Sequence, residues 1–317
     1  MEAAMQFETV GVVGLGLMGR GIATVLVAHK FRVVAIDPNQ ESHSLAKQHI
    51  ETSLKDLNGE APALWQERFQ AATDFSLLAD CQFVIESIPE EPELKQRVLR
   101  QVEEVVAPHV PIATNTSALP ISLLQSTCQH SQRVIGMHWA EPCHLTRFLE
   151  VIRGQQTDDP TTQATIHLGT QMGKDPTVVK RDVPGFIVNR LAYAMYREAF
   201  WLLENGVADV ETIDRAFTNA ISVWADIAGP FRWMDMTGLA AYGQAMQRLF
   251  PELSREQTVP QTMQQLVASG AQGTANGRGF YNYTPEEAAQ WRERWVANAQ
   301  RARHLADSIS SPEQDLA

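Results

Sequence analysis

The segment Val10-Gly11-Val12-Val13 runs directly into Gly14-Leu15-Gly16-Leu17-Met18-Gly19, and a helical pattern follows over Gly19–Ala28. A G-x-G-x-x-G turn between a strand and a helix leaves few folds open, because it is the fingerprint of a βαβ unit that cradles a dinucleotide. Gly14 makes the tight turn, Gly16 lets the backbone approach a pyrophosphate, and Gly19 lets the helix pack closely on the strand. Leu17 and Met18 belong to the same cradle, where the free N–H groups and dipole of the helix start favour a negative charge. A second β-branched run, Arg32–Ile36, ends at Asp37, 23 residues after Gly14. A carboxylate at that place accepts ribose hydroxyls and repels a 2′-phosphate. The next residues, Pro38-Asn39-Gln40, offer no arginine to hold one. The expected cofactor is therefore NAD rather than NADP.

The rest of the first half repeats the same alternation. Phe83–Ile88, Ile112–Thr114 and Val134–Met137 are short apolar runs, as buried parallel strands are, with helix-like stretches at Ser42–Leu57 and Pro92–Val106 between them. Phe148–Ile152 and Thr177–Val179 read as further strands closing the sheet. After Asp182-Val183-Pro184-Gly185 the pattern turns helical, with Phe186–Asn205, Asp209–Asn219, Leu239–Phe250 and Gln261–Ala268 all at helical period. Pro184 suits a first helical turn. The sequence thus predicts an α/β Rossmann-type fold, a doubly wound parallel sheet over residues 1–183, followed by an all-α second domain over residues 184–317. The tail, Pro285–Ala306, spaces Trp291, Trp295, Ala299 and Ala302 along one stripe and reads as an amphipathic helix packed on the domain or on a partner subunit.

Composition narrows the function. Of the 317 residues, 37 are acidic and 26 basic, a net charge of −11 that argues against nucleic acid or an anionic membrane as partner. Met1–Thr9 lacks a basic start and a long apolar core, so it is not read as a signal peptide, and no apolar run is long enough to span a bilayer. Cys81, Cys128 and Cys143 are scattered without a CxxC pair. That usage points to a reducing, cytoplasmic setting with no disulfide framework and no metal site built on cysteine.

One constellation carries chemistry. His138 ends the run Val134–Met137, at the carboxyl end of a strand, and Glu150 lies on the next strand after a short loop. Neighbouring strands can bring the two together, and a carboxylate on one imidazole nitrogen raises the basicity of the other, as a general base needs. The segments GLGLMGRGIA (14–23), ATNTSALPI (113–121), GMHWAEP (136–142), RFLEVI (147–152) and DVPGFIVNR (182–190) go further. With GPFRWMDMTGL (229–239) and GRGFYNY (277–283), they resemble the 3-hydroxyacyl-CoA dehydrogenase family over nearly the whole chain.

The resemblance implies NAD-dependent oxidation of a 3-hydroxyacyl-CoA to the 3-ketoacyl-CoA, as in fatty acid metabolism. It implies His138 as the residue that takes the hydroxyl proton and Glu150 as its partner. Ser117 would bond the reacting oxygen, and Asn189 would face the substrate. Glu90 and Lys95 would line the nicotinamide side, with Asn115 in the cofactor-binding set. It also implies a homodimer built through the second domain, which would close the substrate site. A non-catalytic NAD-binding protein would not need the intact His, Glu, Ser and Asn set.

Two departures leave the substrate open. Three residues after the histidine, where the family usually has asparagine, stands Glu141. A carboxylate cannot donate unless protonated, so Glu141 either reports on a different substrate class or pairs outward with water or Arg147. Residues 41–70 hold three basic residues (Lys47, Lys55, Arg68) against five acidic ones, a poor balance for CoA phosphates. A CoA-free hydroxy acid or alcohol is the alternative small-molecule substrate.

Overall fold

Short runs of Val, Ile and Phe bury their side chains best in a sheet covered on both faces. In the computed structural model of the chain, which describes residues 7–309, they form one eight-stranded sheet. Its strands are β1 (Thr9–Val13), β2 (Arg32–Ile36), β3 (Phe69–Ala72), β4 (Phe83–Glu86), β5 (Ile112–Thr114), β6 (Val134–His138), β7 (Phe148–Ile152) and β8 (Asp175–Val179). They lie in the order β3-β2-β1-β4-β5-β6-β7-β8. Every neighbouring pair is parallel except β6 and β7. The connection over residues 139–147 is too short for the crossover that a parallel pair requires, so the chain doubles back. Of the segment Met1–Thr9, residues 1–6 lie outside the described residues.

Five helices flank the sheet: α1 (Leu17–Ala28), α2 (Gln40–Asn58), α3 (Pro92–Val105), α4 (Ile121–Gln125) and α5 (Asp159–Gln171). One face packs Ile22 and Leu26 of α1, Ile50 and Leu54 of α2 and Leu168 of α5 against Val10, Val12, Ile85 and Leu149. The other packs Leu99 and Val102 of α3 and Leu124 of α4 against Val13, Val84, Ile112 and Val134. The switch in strand order falls between β1 and β4, and there the carboxyl ends of the strands open a crevice. Strand β3, Phe-Gln-Ala-Ala, has no β-branched residue and is not evident in the sequence. Its order comes from parallel pairing with Val33–Ile36 of β2.

The chain divides into two compact units between Arg190 and Leu191. Residues 184–190 stay with the sheet because Phe186 is buried there beside Ile121, Ile152 and Val179. The second unit is helical: α6 (Val188–Glu204, starting in the first unit), α7 (Val210–Ala225), α8 (Pro230–Thr237), α9 (Leu239–Leu249), α10 (Gln261–Ala268) and α11 (Pro285–Ile309). Among its described residues only Ala228 and Ser254 are buried, and Trp291 and Trp295 of α11 are exposed. No helix of the described residues is long and apolar enough to cross a membrane.

A buried ion pair ties β4 to α3. Glu86 and Lys95 are both fully inaccessible, with Nζ 2.8 Å from Oε1. Glu86 also accepts from the Ile88 N–H at 2.7 Å and from the Thr114 hydroxyl. Two charges out of water persist only if each is matched. Lys95→Met should therefore cost about 3–5 kcal/mol by stranding the Glu86 charge, whereas the double change Glu86→Gln, Lys95→Met should regain most of that loss. Urea unfolding of both variants beside wild type checks this. A single variant as stable as the double one would contradict it.

Candidate active site

The glycine turn fits a pyrophosphate by its geometry. Gly14 sits at φ +96°, and a Cβ there would lie 2.5 Å from the Ser87 carbonyl oxygen. A Cβ on Gly19 would meet the Gly14 oxygen at 1.9 Å, so the first turn of α1 rests on the loop itself. A Cβ on Gly16 would meet nothing within 4 Å. No side chain caps the N-terminus of α1, so the N–H groups at Leu17, Met18 and Gly19 face that open space. Gly14, Gly16, Leu17 and Met18 line a cleft of about 830 Å³ that runs from Asp37 and Pro38 to Glu90, Asn115 and Ser117. Asp37 has a second task that the sequence does not disclose. Its Oδ2 accepts the Leu15 N–H at 2.7 Å and its Oδ1 the Asn39 N–H at 2.8 Å, fastening the glycine loop to the end of β2. Each carboxylate oxygen keeps a lone pair for a ribose hydroxyl. The cleft therefore fits NAD, with the adenosine end at Asp37 and the nicotinamide end beyond β4 and β5.

At that second end the loops after β4, β5 and β6 are laced together. Asn115 donates from Nδ2 to the Ser87 hydroxyl at 3.2 Å and accepts the Trp139 N–H at 3.3 Å. Glu90 Oε1 accepts from the Thr116 hydroxyl and from the N–H groups of Ser117 and Ala118, at 2.9 and 3.2 Å. Partial burial works to raise the Glu90 carboxyl. The Thr116 hydroxyl, the Lys95 ammonium and the two N–H groups outweigh it and hold the carboxyl below its ordinary range. Lys95 departs from what the resemblance implies. It is wholly buried beneath Glu90, 3.5 Å from Oε2, and does not line the cleft, because Glu86 draws its ammonium inward.

The antiparallel pairing of β6 and β7 places His138 and Glu150 directly opposite each other. His138 Nδ1 lies 2.8 Å from Glu150 Oε2, and both residues are buried. Glu150 Oε1 accepts the N–H groups of Ile187 and Val188, at 2.9 and 3.0 Å, which are the free donors at the start of α6. Gly185 and Phe186, at φ +77° and +52°, turn the chain so that those donors reach the carboxylate. Phe148 stands edge-on to the imidazole at 5.6 Å and Phe186 packs at 5.8 Å. Among the described residues no protein group bonds Nε2. Asn189 donates from Nδ2 to the Ser117 carbonyl at 2.8 Å, so these two residues also meet.

Glu141 is half-buried. Its Oε1 lies 3.6 Å from Cys143 Sγ and, at the same distance, from where a Cβ on Gly21 of α1 would stand. Burial, with the Glu141 charge added, pushes the Cys143 thiol far up, so it is a neutral packing group rather than a nucleophile. The loop that carries these residues is held by Lys174, whose Nζ donates to the carbonyls of Cys143 and Thr146 and stands 5.0 Å from the Trp139 ring centre. Sequence reasoning missed Glu86, Thr116, Phe186 and Lys174. Glu86 alone left a signal, as the carboxylate closing an otherwise apolar strand.

Comparison with known proteins agrees with this architecture. Residues 9–183 match the model of the 3-hydroxyacyl-CoA dehydrogenase NAD binding domain, and residues 185–283 that of its C-terminal domain. The chain is 34% identical over 304 residues to 5-formyl-3-hydroxy-2-methylpyridine 4-carboxylate 5-dehydrogenase of Mesorhizobium japonicum, covering 94% of this chain and 96% of that protein. It is 34% identical over 279 residues to the probable 3-hydroxybutyryl-CoA dehydrogenase of Deinococcus radiodurans, covering 86% and 99%. Among solved structures, the crystal structure of the pyridine 5-dehydrogenase, described as an NAD+ dependent dismutase, superposes with a TM-score of 0.88 at 30% identity, covering 95% and 99%. (S)-3-hydroxybutyryl-CoA dehydrogenase from Ralstonia eutropha gives 0.73 at 34%, covering 88% and 100%. The glycine cradle, the family models over both halves and the relatives together make the chain an NAD-dependent dehydrogenase of the 3-hydroxyacyl-CoA dehydrogenase family.

Proposed function

We propose that the chain oxidises a CH–OH group to a carbonyl, with His138 as general base, Glu150 as its positioning residue, and Ser117 and Asn189 beside the reacting oxygen. The observation that carries this reading is the buried 2.8 Å contact between His138 Nδ1 and Glu150 Oε2. A carboxylate on Nδ1 favours the tautomer whose lone pair is on Nε2. That lone pair takes the hydroxyl proton, and Glu150 stabilises the imidazolium formed. Bound NAD supplies the acceptor for the C–H hydride. Glu150 is not free to swing away, because its other oxygen caps α6. His138→Gln should lower kcat by at least ~10²-fold with NAD affinity nearly unchanged, and Glu150→Gln should also slow turnover. Steady-state kinetics with cofactor titration tests this, and near-normal turnover of His138→Gln would refute the role.

For the substrate, a CoA-free hydroxy acid or alcohol is the stronger reading. Supporting it, the pyridine dehydrogenase matches 94% of the chain, against 86% for the Deinococcus CoA enzyme. Of the three basic residues over 41–70, Lys55 is engaged with Glu51 at 3.0 Å and Arg68 with the Lys30 carbonyl at 2.6 Å. The 3-hydroxyacyl-CoA reading draws its support from the family and from the Ser117–Asn189 pair. Glu141 belongs to the same question, as a carboxylate in place of the family's amide. Calorimetry with acetoacetyl-CoA, in the presence of NAD, separates the two. No binding at millimolar concentration is expected, and micromolar binding would reinstate the acyl-CoA substrate.

The assembly we infer is a homodimer built on the helical unit, in a cytoplasmic setting that suits three free cysteines. Only two of the described residues of the helical unit are buried, and Leu191, Tyr193, Phe231, Leu239 and Val267 are all exposed. A second copy offers the self-complementary cover such faces need. Light scattering should give twice the 35.3 kDa chain mass. A monomer at micromolar concentration would contradict this.

A further inference from the structure

Two carboxylates and one ammonium lie at the nicotinamide end of the cleft, and of the three only Glu90 lines it. Lys95 Nζ is 2.8 Å from Glu86 and 3.5 Å from Glu90, so its charge is drawn chiefly to the fully buried partner. One negative charge is left in excess, and Glu90 carries it, with 40% of its side chain exposed. Its position is closely fixed. The Thr116 hydroxyl and the N–H groups of Ser117 and Ala118 converge on Oε1, while Lys95 anchors Oε2 from below. Glu90 and Ser117 border the cleft that starts at Asp37, on the far side of β1.

We propose that Glu90 selects the oxidised over the reduced cofactor by charge. The nicotinamide ring is cationic when oxidised and neutral when reduced, whereas the adenosine and pyrophosphate parts are alike in both. An anion fixed at the nicotinamide end therefore strengthens binding of NAD+ relative to NADH. Lys95 and Glu86 are positioning residues for this purpose: they keep Glu90 in place and do not reach the cleft. The consequence for turnover is direct, because the reduced cofactor formed by oxidation loses the attraction that held its precursor.

The test is a pair of dissociation constants, for NAD+ and NADH, measured without substrate on the intact protein and on Glu90→Gln and Glu90→Asp. Glu90→Gln should shift the NAD+/NADH affinity ratio about 5-fold toward NADH, as expected for loss of one half-exposed charge pair. Glu90→Asp, which keeps the charge, should retain most of the preference. In the unmodified protein, raising the ionic strength should erode the ratio, because salt screens the ring charge by which the oxidised ligand is distinguished. An unchanged ratio in Glu90→Gln would overturn the proposal. So would an equal loss of both affinities, which would make Glu90 only a clamp for the Ser117 loop, or a ratio insensitive to salt. The inference uses the NAD site and not the His138–Glu150 reading. No substrate enters the measurement, so the failure of one leaves the other standing.

Discussion

The Glu150 carboxylate is shared between two claims on it, and the site depends on how they are met. One oxygen faces His138 Nδ1 and the other takes the N–H groups of Ile187 and Val188 at the start of α6. A buried carboxylate with one partner would be costly, and a helix start without an acceptor would be too. Together they satisfy each other. The geometry is set by strand register: β6 and β7 run antiparallel, so residues twelve apart in sequence become directly opposed. A shift of one residue would turn Glu150 to the other face of the sheet and dissolve the arrangement.

The second constraint is the charge at the end of β4. Glu86, buried and matched by Lys95, Thr114 and the Ile88 N–H, links β4, β5 and α3. On that base rest Glu90 and the Ser117 loop, and through the Ser117 carbonyl the loop is joined to Asn189. Cofactor end and imidazole end are thus parts of one hydrogen-bonded lattice at the carboxyl edge of the sheet, where a doubly wound fold places its ligands.

Much of this was legible in the sequence because the signals were local. The glycine turn, Asp37 and the β-branched runs each announce their own geometry, and the helical second half follows from period alone. His138 and Glu150 were legible as a pair because a short loop joins their strands. What was not legible depended on distant partners. Strand β3 has no intrinsic signal and is ordered by β2. Lys95 reads as a cofactor contact until its buried partner Glu86 is known. The Phe186 turn and the grip of Lys174 on the Cys143 and Thr146 carbonyls arise only from packing. Residues 184–190 read as the start of the helical domain, yet the N–H groups of Ile187 and Val188 bond Glu150 of the sheet.

In the function we propose, Glu150 fixes the imidazole of His138 with its free lone pair on Nε2. The direct measurement is the nitrogen-15 spectrum of the His138 ring in alkaline buffer, where an imidazole is neutral. A proton on Nδ1 is expected in the native protein, and a mixture of tautomers in Glu150→Gln. A ring protonated on Nε2 in the native protein would contradict it.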